Sequence, residues 1–345
     1  MGFRPWQRRT LRLSAKAMLR RLIPDPFILA LLATVALATI LPAHGAFAGA
    51  VDVAATAAIV LLFFFHGAKL PREAIVEALG HWRLHLTILA CTFVMFPLLV
   101  LLLQWLAPGL LPSRLWTGML FMAALPGTVQ SAVAFTSIAR GNVAAAIASS
   151  SASQLIGIFL TPPLVGLLAD AHGGTVDTAG VGRIFLVLFA PFVVGHLLRP
   201  WIGAWVSRNR KLIALSDRSA ILLAVYGAFS AAVIEGIWSR LPLPVLGMLV
   251  VVCLAILAFA LAFTSGVARL LGFSRADRIA IMFCGTKKSI VQGVPMARVL
   301  FAPADVGLIL MPILLFHQFQ LMACAWIARR YAAQGESAQT DGAQA

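Results

Sequence analysis

The sequence is short of acid and of charge altogether. Twelve aspartates and glutamates stand against 27 lysines and arginines in 345 residues, and charged side chains make up 11% of the chain. A soluble domain carries about 25%, so too little polar surface is present to cover a water-soluble globule. Asp52, Asp277 and Asp305 fall at the starts of apolar segments, Glu235 at the end of one, and the other eight acids are expected in loops or tails. With no carboxylate deep in an apolar segment, no positioned acid, base or metal pair is visible. The four cysteines (Cys91, Cys253, Cys284, Cys324) sit in apolar runs without ligand spacing, and read as small buried hydrophobes. Phosphate-loop, dinucleotide, zinc-protease and serine-hydrolase motifs are missing. No enzyme and no resident cofactor are expected, and any work done must draw on a gradient.

What the chain has in abundance is apolar sequence: 61% of residues, with mean hydropathy +0.95. A helical crossing needs about 20 apolar residues, and ten segments qualify if the fourth and ninth are broken. They are Phe27–Pro42, Val53–Gly67, Leu84–Ala107, Leu115–Ala139, Val143–Ala169, Arg183–Pro200, Ser219–Ile237, Leu243–Val267, Arg278–Leu300 and Val306–Ala328. The expectation is an all-α polytopic membrane protein. With the amino terminus inside, 21 basic residues fall on the cytoplasmic side and four (Arg114, Arg183, Arg240, Arg298) outside. That bias fits ten spans with both termini cytoplasmic, in a plasma membrane such as the bacterial inner membrane. It also accounts for the net charge of +15 without nucleic acid, and the basic segment 1–25 suits anionic headgroups of the lipid bilayer.

Two basic residues remain in the membrane, Lys287 and Lys288, inside a polar centre Gly285-Thr286-Lys287-Lys288-Ser289, with a second interruption expected at Gly293-Val294-Pro295. Only five of the 27 basic residues are lysine, and two of them are spent here. Placing them at depth costs several kcal/mol unless water, an anion or exposed carbonyls receive them. An earlier stretch is similar. Gly127–Arg140 (GTVQSAVAFTSIAR) and Gly285–Arg298 (GTKKSIVQGVPMAR) share six of fourteen positions at an offset of 158, which also pairs Phe27 with Phe185 and Pro42 with Pro200.

A duplication therefore divides the chain into a first five-helix repeat (26–170) and a second (183–330), with a disordered tail expected over 335–345. The charged connection Arg199 to Arg218 is read as joining the halves. Five spans per half would invert the second copy, and inverted repeats with matched broken helices are the architecture of secondary transporters. Pro126 and Gly127 in span four, and Gly285, Gly293 and Pro295 in span nine, are the expected breaks. Half-helix amino ends suit a bound anion, and exposed carbonyls a cation. Thr128, Gln130 and Ser131 on span four, Ser150 and Gln154 on span five, and Thr286, Ser289 and Gln292 on span nine are the candidate binding residues. The two lysines could replace a bound cation, hold an anionic substrate, or include a neutral member. The serine run 149–151 also fits plain helix packing, and His66 is read as interfacial.

The stretch PGTVQSAVAFTSIARGNVAAAIASSSASQLIGIFLTPP (Pro126–Pro163) resembles the fourth and fifth helices of the bile acid:sodium symporter superfamily. FCGTKKSIVQGVPMARVLF resembles the ninth helix of its sodium/bile acid cotransporter 7 branch and bacterial relatives. The resemblance implies a panel and a core domain, discontinuous helices four and nine crossing in the core, an organic anion as substrate, and sodium as coupling ion. Sodium-coupled members carry a glutamate and a glutamine on the ninth helix. Phe283–Lys288 has neither, a lysine falls near the glutamine position, and Ala146 stands where a serine ligand is expected, although Ser150 matches a hydroxyl ligand. The expected function is secondary transport of a small organic anion by alternating access. The alternatives are a non-transporting regulator or sensor on the same fold, and an ion channel.

Overall fold

The computed structural model describes residues 26–69, 81–170, 185–236 and 241–342, so the basic segment 1–25 and the junction 171–184 lie outside the described residues. Among the described residues all regular structure is helical. The order is α1 (Pro26–Ile40), α2 (Gly45–Lys69), α3 (Trp82–Leu106), α4 (Ser113–Ala124), α5 (Val129–Ile138) and α6 (Val143–Asp170). There follow α7 (Ala190–Arg208, preceded by a π turn Phe185–Phe189), α8 (Arg210–Ile234), α9 (Leu243–Leu270), α10 (Arg275–Gly285), α11 (Ile290–Leu300) and α12 (Pro303–Gly342). Two short helices separated by a break thus occur at matching places in each half.

These helices follow from long runs of Leu, Ala, Val and Ile with few internal breakers. The 28 residues of α9, at about 1.5 Å each, exceed the roughly 30 Å of a bilayer's hydrocarbon. Seven described helices are long and apolar enough to cross, and α4 with α5, bent by 62° at their break, makes an eighth. Large apolar side chains face outward, among them Leu102, Trp105, Trp201 and Val251, which suits lipid rather than water. The α10–α11 pair falls outside that apolar count; it carries Arg275, Asp277, Arg278, Lys287, Lys288 and Arg298.

Packing divides the helices into two groups. One holds α1, α2, α7 and α8, with α2 against both α7 and α8. Its tightest crossing is made by glycines: a Cβ on Gly67 would lie 1.9 Å from the Phe192 carbonyl oxygen, and one on Gly195 1.9 Å from that of Phe64. Small residues let helix backbones approach where dispersion, not water, drives association. The other group holds the two broken helices with α3, α6, α9 and α12. Helix α8 touches it through α11 and α12.

Four expectations are corrected. Arg199–Arg218 does not join the halves; it is helical apart from Asn209 and links α7 to α8. Asp217 therefore lies in a helix, buried, rather than in a loop. Gly293 and Pro295 do not break span nine, because both lie within α11. Proline there removes the bond its N–H would have given Val291 without ending the helix, and Gly293 is a packing site whose added Cβ would fall 2.6 Å from Leu125 Cδ1. Finally, α12 runs on to Gly342 through the expected tail.

Candidate functional site

The two breaks lie back to back. Helix α4 ends at Ala124, residues 125–128 are extended or irregular, and α5 starts at Val129; α10 ends at Gly285 and α11 starts at Ile290. The Ser289 N–H donates to the Pro126 carbonyl at 2.8 Å, so each interruption satisfies the other. The C-caps Leu125 and Thr286 are 161 residues apart, as are the N-caps Thr128 and Ser289. The breaks are thus three residues out of register with the sequence match at 158. Gly127 and Gly285 are where backbones meet: an added Cβ would lie 3.3 Å from the Cys284 carbonyl oxygen and 3.1 Å from Cys91 Cβ, respectively.

Several of the freed backbone groups have receivers. Ser153 Oγ accepts the Gly127 N–H at 3.1 Å, and the Thr161 hydroxyl donates to the Ala124 carbonyl at 2.9 Å. Gln320 on α12 clamps the second break with one amide: its Oε1 accepts the Lys288 N–H at 2.9 Å and its Nε2 donates to the Lys288 carbonyl at 3.0 Å. Thr286 bonds back to the Met282 carbonyl at 2.7 Å. At the far end of α5, Asn142 donates from its backbone to the Ala276 carbonyl and from its side chain to Asp277, which docks that turn on the start of α10.

The lysines have separate fates. Lys288 Nζ donates to the carbonyls of Thr92 (2.7 Å), Ala123 (2.6 Å) and Leu125 (2.8 Å) and sits 4.3 Å from the centre of the Phe96 ring. Thr92 belongs to a π turn, Cys91–Met95, inside α3. Three acceptors match the three N–H bonds of an ammonium; a neutral amine has only two. The contacts of Lys288 thus suit an ammonium, placed at the negative end of α4. Lys287 Nζ reaches no oxygen acceptor; it lies 4.4 Å from the centre of the Phe135 ring, against the Cys324 thiol and with the Cys284 thiol nearby. Both lysines are fully buried.

A cavity of about 600 Å³ opens between the two helix groups. Thr128, Gln130 and Ser131 at the start of α5, Ser289 and Gln292 at the start of α11, and Gln154 on α6 line it. Thr286, Lys287, Lys288 and Ser150 do not; Ser150 bonds instead to the Cys284 thiol at 3.5 Å. The expectation that the two lysines present charge to a bound anion is corrected: they lie behind the breaks. Both half-helix amino ends meet the cavity, each worth about half a positive charge. Gln292 donates to the Gln154 carbonyl at 3.2 Å and leaves its Oε1 buried without a donor.

Sequence reasoning missed the charges of the other wall. Lys69 on α2 donates to Asp217 on α8 at 2.7 Å, and Arg218 lies 5.7 Å from the centre of the Phe27 ring. With His66, His317 and Ser151 they complete the polar lining, and Asp217 is the only carboxylate among the described lining residues. Lys69 and Asp217 are 148 residues apart, so no local pattern links them. Gln320 and His317 carried a usable signal: polar side chains inside an apolar run need partners.

Comparisons with known proteins agree with this reading of the fold. The family model of SBF-like CPA transporters matches residues 25–333. Pseudomonas aeruginosa PA2026, whose name assigns no activity, is 53% identical over 94% of this chain and 98% of its own. YfeH of Escherichia coli K12, named provisionally as a symporter, is 52% identical over 92% of this chain and 96% of its own. Mouse sodium/bile acid cotransporter 7 is 31% identical over 77% and 79%. Family and named relatives are transporters, not enzymes. This multi-pass membrane protein belongs to the SBF-like CPA transporter family.

Proposed function

We propose that the chain is a secondary transporter that moves a small organic anion by alternating access through the central cavity. One observation carries this reading: the amino ends of α5 and α11 both meet the cavity, while carbonyls at the carboxyl end of α4 are held by Lys288. Helix dipoles at the cavity favour negative charge. Arg218 adds a full positive charge, and Asp217 is offset by Lys69. Gln130, Gln154, Ser131 and Gln292 would hydrogen-bond the polar groups of a carboxylated or sulfonated substrate.

Alternating access is supported by the ends of α2. Its Lys69 end borders the cavity, while near its other end Asp52 pairs with Arg298 of α11 and joins the two helix groups. Seventeen residues of helix separate the two points, roughly 25 Å at about 1.5 Å per residue. The charge bias puts the cavity mouth on the cytoplasmic side, with both termini on that side of a bacterial inner membrane. Ten spans in two inverted five-helix repeats follow if α1 and the charged α10–α11 pair are counted with the eight apolar crossings. In this reading the ammonium of Lys288 stands where a coupling cation would sit among carbonyl oxygens, and transport does not require sodium.

Proteoliposomes containing the full chain test this. Saturable counterflow of a carboxylated or sulfonated substrate is expected in choline as in sodium medium. Arg218→Gln should raise KM about tenfold with the protein folded. Unchanged saturation in Arg218→Gln and in Gln292→Leu would remove the cavity from the route.

A further inference from the structure

A second recess, of about 450 Å³, lies on the surface where the end of α9, the start of α10 and the last membrane turns of α12 meet. Four arginines line it: Arg269, Arg275, Arg278 and Arg330, with no carboxylate among the described lining residues. The nearest acid in sequence, Asp277, is engaged elsewhere, with Asn142 at 2.8 Å and with Ser274. Each guanidinium offers five N–H donors. Arg275 spends one on the Tyr331 carbonyl at 3.4 Å, and Arg330 lies 4.6 Å from the centre of the Trp326 ring. Four like charges in one recess repel unless an anion joins them, and the guanidinium fork fits phosphate oxygens two at a time.

The walls indicate where that anion comes from. Ile279 and Ile327 line the recess with Trp326, which is 59% exposed. An exposed tryptophan beside arginines marks the membrane–water interface, and these helix ends are the ones the charge bias assigns to the cytoplasmic leaflet. A basic pocket between membrane helices on that side is suited to a multiply charged lipid headgroup. We propose that the four-arginine recess binds a phospholipid headgroup with two phosphates, about two arginines to each, while its acyl chains remain in the bilayer. Because α10 is the first half of the broken helix, an occupied recess would anchor the start of the element that leads into the break at Lys287 and Lys288. This inference is independent of what the central cavity carries.

The test uses the full chain, purified in detergent and depleted of lipid. Diphosphatidylglycerol should raise the melting temperature saturably. Phosphatidylglycerol at matched total charge should need at least tenfold more lipid, and inorganic pyrophosphate should not substitute. The double variant Arg278→Gln/Arg330→Gln should weaken the diphosphatidylglycerol response at least tenfold, and Arg278→Lys/Arg330→Lys should weaken it less. If the variants do not fold, native mass spectrometry of the unaltered chain decides, with one retained two-phosphate lipid expected over phosphatidylglycerol in a mixed micelle. An equal response to both lipids, an equal response to pyrophosphate, an unchanged response in the glutamine variant, or no retained two-phosphate lipid would each overturn the proposal.

Discussion

Replacing each of the two adjacent lysines by methionine should have opposite consequences. Lys288→Met keeps the unbranched apolar stem and removes the donor for three carbonyls held at 2.6 to 2.8 Å. A hydrogen bond to a charged group contributes about 1.5–3 kcal/mol, and a buried acceptor left bare costs about 1–3 kcal/mol. Burying an ammonium itself costs several kcal/mol, so removing the charge offsets part of that loss. The net expectation is a destabilisation of about 3–5 kcal/mol, from three bare acceptors at about 1–3 kcal/mol each less that offset. Lys287→Met gives up no hydrogen bond to an oxygen, only a weak contact with the Cys324 thiol. It loses a ring contact of about 0.5–2 kcal/mol and is relieved of the burial cost, so stability should be unchanged or raised. Melting in detergent, followed by tryptophan fluorescence and by the fraction remaining monodisperse, reads both variants. Lys288→Ala also leaves room among the three carbonyls, so its stability, unlike that of the unaltered chain, should depend on the monovalent cation present. Equal losses in Lys287→Met and Lys288→Met, or a larger loss in Lys287→Met, would refute the assignment of Lys288 as the cation that holds the breaks together.

Gln320→Leu removes the acceptor of the Lys288 N–H and one of the two side chains that contact its carbonyl, the other being His317 at 3.3 Å, and should cost about 2–4 kcal/mol, with Gln320→Glu retaining the acceptor and losing less; thermal melts rank the two. Gly195→Ala places a methyl 1.9 Å from the Phe64 carbonyl oxygen, so α2 and α7 must separate, at about 1–3 kcal/mol or more, visible as reduced yield of monodisperse protein. Exchanging sodium for choline at equal ionic strength should leave the melting temperature of the unaltered chain unmoved; a sodium site filled to about 100 times its Kd would add ~2.7 kcal/mol. Arg298→Gln cuts the pairing to Asp52 and should increase labelling of cysteines placed along the Asp52 end of α2 without lowering stability by more than about 1 kcal/mol; unchanged labelling would mean that the pair does not hold the two helix groups together.

The sequence made some parts of the site legible and hid others. The polar pentapeptide at Gly285 and the Pro126-Gly127 pair marked the breaks, because backbone can leave the helix at membrane depth only where protein or a wet cavity receives it. Thr128, Gln130, Ser131, Gln154, Ser289 and Gln292 were legible for the same reason, and they share one cavity. Gly293 and Pro295 misled, since neither residue announces whether it breaks a helix or merely packs within one. Asp217 was misplaced because charges on both sides of Asn209 read as a loop, whereas α7 and α8 run almost to each other.

By itself the sequence determined that the chain is a helical membrane protein with two interrupted segments, since hydropathy and the scarcity of charge act along the chain and need no partner. Only the tertiary structure decided what the interruptions do. Two neighbouring lysines, alike in sequence, differ because α3 and α4 bring three carbonyls to Lys288 and none to Lys287. Hydrogen-bond partners 163 to 196 residues away are fixed by how helices cross, and a buried charge takes its role from the atoms that the crossing places around it.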